Sequence, residues 1–529
     1  MRESAVGSAA PRQNRVMRMK TLTDLEYLRL SSPRKAGYRI LRFLAAIPKA
    51  LWRFLVSIVR FIGRFFAAVG SELSDIFLTF INGTWKTRLS YALMGFGSCA
   101  RGQWLRGLLF FLFEAVFVLY MVFWGGHWLG KFSTLGDVGS MKNVYDEELD
   151  VYVSMPGDDS FKILLYGLLT LLFIVAFIYT WRLNVKQNRI LDSIEKSGKK
   201  IRSGKDDLKS LVDDQFHKTL LALPITGITV FTVIPIIFMI LVAFTNYDAA
   251  HDGYSNLFTW VGMDNFNELF FWSSGSSNLS AAFGEILSWT LIWAFFATFT
   301  NYFLGMLVAI MINKKGIRLK KFWRSALVLT IAIPQFVSLL YVSKMFGDNG
   351  LINGLLLRWG IIDYDHIIKF WTDPTLARIT VIVINIWIGI PYLMLIATGI
   401  LMNIPQDLYE SSRIDGANTW QQFMKITLPY MLFVTGPYLL TSFIGNINNF
   451  NVIYLLTGGE PTNPALLTSG GSAGYTDLLV TWLFNITTGA ESNYKLAAVI
   501  GIMIFVVVAV ISLIVYNAIP STRNEEDYQ

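Results

Sequence analysis

The sequence predicts an all-α polytopic membrane protein with about eight transmembrane helices, preceded by a basic amphipathic N-terminal region. Three observations carry this. Of 529 residues, 53% are hydrophobic and 16% charged, whereas soluble domains hold roughly a quarter charged residues. Eight apolar runs, at about 107–124, 161–181, 219–245, 284–312, 325–345, 376–402, 429–455 and 494–518, approach the roughly 20 residues that a bilayer core requires. The connections between them alternate in charge. Arg101 and Arg106 precede the first run, and the acidic residues Asp137, Asp146, Glu147, Glu148 and Asp150 follow it. Connection 182–218 is densely basic, 246–283 has no Lys or Arg, 313–324 is basic again, and 456–490 has none. Under the positive-inside rule this places both termini in the cytoplasm. Arg358, Lys369 and Arg378 fall outside and run against the bias.

The chain divides accordingly. Residues 1–34 form a polar basic tail without an apolar core, so no cleavable signal peptide is expected. Region 35–106 is read as cytoplasmic and interfacial. Lys35, Arg39, Arg42, Lys49, Arg53, Arg60 and Arg64 fall within an arc of roughly 80° at helical spacing, opposite Leu41, Phe43, Trp52, Phe61 and Phe65. Such a helix lies on anionic membrane lipids. The competing reading, a span, is costly for regularly spaced arginines. Two accessory transmembrane helices (107–181), the basic loop 182–218, a six-helix core (219–518) and a cytoplasmic tail (519–529) follow. Pro224, Pro235, Pro334, Pro391 and Pro437 put kinks in the core spans.

Between the sixth and seventh runs lies the polar stretch Tyr409–Pro429. Asp407 is expected to cap a short helix through Arg413, with Glu410 near its start, where carboxylates suit the helix dipole. Gly416 permits a sharp turn. A second helix, Asn418–Thr427, runs into Pro429. The whole reads as a cytoplasmic helix-turn-helix (loop 403–428) presented to a partner.

Other chemistry is sparse. A single cysteine and four histidines, no two at ligand spacing, argue against a metal site. The net charge of +8 is confined to particular loops and points to no nucleic acid. No phosphate-cradling loop is present, so energy comes from a partner or an ion gradient. Glu114, the clearest charge inside a span, is read as hydrogen-bonded to a neighbouring helix, which disfavours a proton-coupled secondary carrier. Two polar faces stand out: Asn385, Ile388, Gly389 and Tyr392 at i, i+3, i+4 and i+7, and Ser442, Asn446 and Asn449 at i, i+4 and i+7. Neutral amides and hydroxyls beside an aromatic ring suit a hydroxyl-rich solute such as a sugar. Interhelical hydrogen bonding explains the same residues equally well.

Glu410-Ser411-Ser412, then Gly416, Ile426, Leu428 and Pro429, resembles the EAA motif of importer permeases in ATP-binding-cassette (ABC) systems, with serines where the family usually has alanines. With IDGA, ITLP, NNF, LLTGG and GYTD around it, the chain is similar to the MalF-like, maltose/maltodextrin-type permease subunits of binding-protein-dependent sugar importers, closely over about 215–518. The resemblance implies a type I ABC importer permease fold and no enzyme activity, with ATP and Mg on a partner ATPase. It implies that Glu410, Ser411, Ser412, Arg413, Asp415, Gly416 and Ala417 meet that ATPase. It implies that Asn385, Ile388, Gly389, Tyr392, Ser442, Asn446 and Asn449 meet the sugar. A family tyrosine of the fifth span corresponds to Ile331. The expected partners are a second permease subunit, two ATPase subunits and an extracellular lipid-anchored sugar-binding protein. The short 246–283 loop, where Gram-negative members carry a domain, points to a Gram-positive plasma membrane. Transport of another neutral solute, a polyol or a glycerol phosphodiester, is the alternative.

Overall fold

In the computed structural model the described residues are 32–518, apart from 138, 140–141, 147–149, 156, 200, 202–208, 210–211, 214–215, 255, 271–278, 315, 469–470 and 490–491. Residues 1–31 of the basic tail, the C-terminal tail and twelve residues of loop 182–218 therefore lie outside them. Residues 1–69 and 70–529 form two units. In the first, a helix starts at Ser32 and carries exposed Arg60, Arg64, Phe61, Phe65 and Phe66.

That helix, α1, runs unbroken through Pro48 to Asn82. The helices that follow are α2 (Trp104–Lys131), α3 (Ser160–Lys196), α4 (Phe216–Val242), α5 (Leu279–Asn313), the pair α6 (Lys320–Ala332) and α7 (Gln335–Met345), α8 (Pro374–Leu401), α9 (Gln406–Ile414), α10 (Thr419–Ile447), α11 (Phe450–Leu456), α12 (Leu479–Thr488) and α13 (Tyr494–Ala518), of which α9, α11 and α12 are too short to span. Among the described residues eight helices are long and apolar enough to cross a membrane, the number expected, but the set differs by one member. Val59–Asn82 qualifies, whereas the fifth expected span is broken: α6 and α7 meet at 91°. Pro334 causes this break, because it fixes its own φ and pushes Ile333 into extended backbone (ψ 127°).

Helix α5 is the axis of the second unit. One face of it, from Leu279 through Ile286, Trp293, Asn301 and Gly305 to Ile312, is buried along its whole length, and it enters all three hydrophobic clusters. Helices α5 and α8 lie side by side in parallel register. A Cβ on Gly305 would come within 2.6 Å of the Leu393 Cβ, and one on Gly389 within 2.3 Å of Asn301 Nδ2. Glycine on each helix admits the other backbone, the usual route to tight packing where lipid removes the hydrophobic drive.

Residues 83–103, read as interfacial, fold onto the end of α3. The Arg101 side chain is fully buried there. It bonds Asp192 (2.8 Å), Glu195 (2.7 Å), Asn188, Thr84 and Thr87. A buried guanidinium needs such a set of acceptors to offset its desolvation. Glu114 accepts from the Met94 backbone N–H at 2.7 Å, so it is hydrogen-bonded, but to a turn of this segment rather than to the neighbouring helix that was expected. Two hairpins lie in the connections: β1 (Lys142–Asp146) with β2 (Val151–Met155), and β3 (Thr462–Thr468) with β4 (Gly471–Gly474).

Candidate functional site

The two polar faces converge, and α5 joins them. Asn446 donates from Nδ2 to Thr298 Oγ1 on α5 (3.0 Å), and its carbonyl accepts from Trp293 Nε1 (3.1 Å). Asn449 Nδ2 donates to Asn446 Oδ1 (3.3 Å). Asn449 does not continue the face of α10, however. The helix ends at Ile447, and the Asn449 side chain caps α11 by accepting from Val452 N. An asparagine can hydrogen-bond its own local backbone, so it ends a helix as readily as it lines one. Ser442 interacts with the Tyr438 hydroxyl, which lies near Tyr392 of α8. Tyr392 is exposed, and Ile388 packs on the cluster around Trp293.

The remaining positions differ from expectation. Gly389 does not leave open space for a ligand, because the Asn301 carboxamide fills it. Asn385 is buried, with Nδ2 unpartnered. Asn446 thus makes the interhelical bond that the sequence left open as an alternative, whereas Asn385 makes none. Thr298, Asn301 and Tyr438 were missed. Their signals were available: Thr298 and Asn301 stand at i and i+3, and Tyr438 and Ser442 at i and i+4. The arrangement offers neutral donors, acceptors and phenol rings, a chemistry that binds hydroxyls by exchange of hydrogen bonds.

The 403–428 element is built differently. Helix α9 begins after Pro405, so Asp407 sits within its first turn, where it favours the dipole without capping. The helix ends in a Schellman turn: Ala417 N donates to Ser412 O (2.9 Å) and Gly416 N to Arg413 O (3.0 Å). Gly416 adopts φ +79° with nothing within 4 Å of a built Cβ. Backbone conformation alone, not space, therefore calls for glycine there.

Asn418 and Gln421 then form a reciprocal capping box, at 2.8 and 2.9 Å. The expected separate second helix is instead the start of α10. A π-helical stretch, Phe423–Thr427, carries it into Pro429 without a break. Gln422 locks the two helices by donating to Tyr409 O (3.1 Å) and Ser412 Oγ (2.8 Å), and Tyr409 meets Thr427 at 2.8 Å. The serine that replaces the usual alanine at 412 is thus used internally.

Glu410, Ser411, Arg413, Asp415 and Gly416 are exposed, Ser412 and Ala417 half-buried. Ile414, 88% exposed, and Trp420 stand out among them. Both are apolar groups in a polar stretch, the signal that could have flagged them as docking anchors.

Residues 301–523 match the family model described as the binding-protein-dependent transport system inner membrane component. The chain is 33% identical over 448 residues to the maltodextrin transport system permease protein MalC of Streptococcus pneumoniae, covering 83% of this chain and 97% of that one. It is 32% identical over 451 residues to the maltodextrin permease MdxF of Bacillus subtilis (83% and 97%). It is also 32% identical over 442 residues to the galactooligosaccharides permease GanP of the same organism (82% and 96%). The chain belongs to the membrane permease subunits of binding-protein-dependent ABC importers, in the maltodextrin-type branch, and is a multi-pass bacterial membrane protein that transports rather than catalyses.

Proposed function

We propose that this chain is one of two permease subunits of an importer that moves an oligosaccharide, of maltodextrin type, across the plasma membrane of a Gram-positive cell. The observation that carries the reading is the convergence of neutral amides, hydroxyls and tyrosines from α5, α8 and α10, together with an exposed, rigidly capped element at the other end of α10. The relatives' names support an oligosaccharide over a polyol or phosphodiester, since they specify maltodextrin and galactooligosaccharides. Two ATPase subunits bind ATP and Mg and close against loop 403–428. Ile414 and Trp420 are the groups such a cleft would bury, with Glu410, Arg413 and Asp415 at its rim. A lipid-anchored extracellular binding protein delivers the sugar, and both termini lie in the cytoplasm. The basic part of the first helix ahead of Val59 rests on anionic lipid.

The mechanism follows from the two-part layout. Closure of the ATPases moves α9, and the Tyr409, Ser412 and Gln422 lock passes this motion to α10. Helix α10 carries Ser442 and Asn446, so the sugar-facing groups shift with it. The test is uptake of labelled maltodextrin by the four-subunit complex in proteoliposomes, with ATP inside and the loaded binding protein outside. ATP-dependent accumulation is expected. Accumulation of a polyol or a glycerol phosphodiester in its place would overturn the substrate assignment.

A further inference from the structure

Eight asparagines are buried in the described residues: Asn184, Asn188, Asn265, Asn301, Asn353, Asn385, Asn463 and Asn493. Six of them hydrogen-bond through the side chain. Asn301 and Asn385 form no such bond, and each is only 6% exposed. Asn301 Oδ1 and Asn385 Nδ2 are fully enclosed, one an acceptor and the other a donor. A buried amide without a partner is costly, and an apolar residue of equal size would pack there at no such cost.

The two orphans are neighbours. Asn301 lies against Gly389, and Asn385 is one turn before Gly389 on the same helix, about 6 Å along the axis. One turn from Asn301 on α5, Thr298 holds Asn446 of the transport face.

Resting on the oligosaccharide reading above, we propose that Asn301 is a specificity-determining residue of the transport site. With Asn385, it holds neighbouring hydroxyls of a passing pyranose. Asn301 Oδ1 accepts from one hydroxyl, and Asn385 Nδ2 donates to the oxygen of the next. In the conformation described, α5 and α8 are closed over both groups, so sugar binding satisfies them only when that seam opens. Bound saccharide thereby favours the open arrangement through a differential interaction. The missing side chain at Gly389 is what lets the Asn301 carboxamide reach the seam.

The test uses the assembled importer carrying Asn301→Leu, with maltotriose and a series of its monodeoxy analogues as transported probes. The wild type should disfavour one or two analogues by about fivefold to tenfold, the worth of one hydrogen bond. The variant should transport those analogues as well as it transports its reduced level of maltotriose, with undiminished thermal stability. Thr300→Ala, an exposed position on the same helix, should keep the wild-type profile. Equal discrimination in the variant and the wild type would overturn the proposal. So would uniform loss across all probes together with lost stability, the result of a purely structural role. Where Asn301→Leu does not assemble, Asn301→Ala is read in its place, and failure of both to assemble also overturns it. Absence of any maltodextrin uptake by the wild type would sink the oligosaccharide reading itself.

Discussion

The capped 403–428 element and the proposed transport face are built in opposite ways. The element around Gly416 sits in the open and satisfies its backbone twice over, with a Schellman turn at one helix end and a capping box at the next start. The face formed by α5, α8 and α10 is partly open, with Tyr392 exposed, yet at its buried seam Asn301 Oδ1 and Asn385 Nδ2 are without partners. A part that must transmit motion needs one stiff geometry. A part that must take up and release a ligand works better with bonding capacity held in reserve, because only unmet capacity distinguishes the occupied state from the empty one.

The largest effect is expected on the transport face. Tyr392→Leu combined with Asn446→Leu removes a phenol and the bond to Thr298. Uptake should fall to background, while ATP hydrolysis stimulated by the binding protein persists in the assembled complex.

On the other side of the contrast, Gly416→Val forces a branched residue into positive φ, at a backbone cost of about 1–2 kcal/mol. It should cut uptake tenfold or more, while Gly416→Asn, which tolerates that conformation, should stay near wild type. Comparable uptake in the two variants would remove the rigid turn from the account.

Gln422→Leu takes the donor from Tyr409 O and Ser412 Oγ. It should destabilise the complex by about 1–3 kcal/mol, read as a lower thermal midpoint, with weaker coupling.

The smallest effect belongs to neither region. Asp477, in the connection between α11 and α12, is held between Gly474 N and Thr481 Oγ1 (both 2.8 Å), and burial pushes its carboxyl up to about 6. The folded state then binds a proton more tightly than the unfolded chain. Its contribution to stability is present in full below about pH 4 and is lost as pH rises through 6. The midpoint should be higher at pH 5 than at pH 7, and Asp477→Asn should flatten that difference.

Much of this was legible in the chain. The spans announced themselves by length and apolarity. Helical spacing brought out Asn385, Tyr392, Ser442 and Asn446 as two polar faces, and Gly416 stood out by its place in a polar stretch. The role of α5 was hidden, because a helix apolar on nearly every side gives no periodic stripe to mark its buried face. Thr298 and Asn301 were lost within it. Arg101 looked like a topological marker beside a span, since spacing along a chain does not reveal Asp192 and Glu195 some ninety residues away. The break at Ala332–Gln335 was visible only as a proline, and the sequence suggested a kink where the chain turns through 91°.

The most direct test of the central claim pairs two readings in one preparation of the Tyr392→Leu, Asn446→Leu importer: maltodextrin accumulated and ATP hydrolysed in response to the loaded binding protein. Stimulated hydrolysis without accumulation is the predicted result, and it would separate the sugar face from the coupling element. Accumulation at the wild-type rate would contradict the placement of the sugar on α5, α8 and α10.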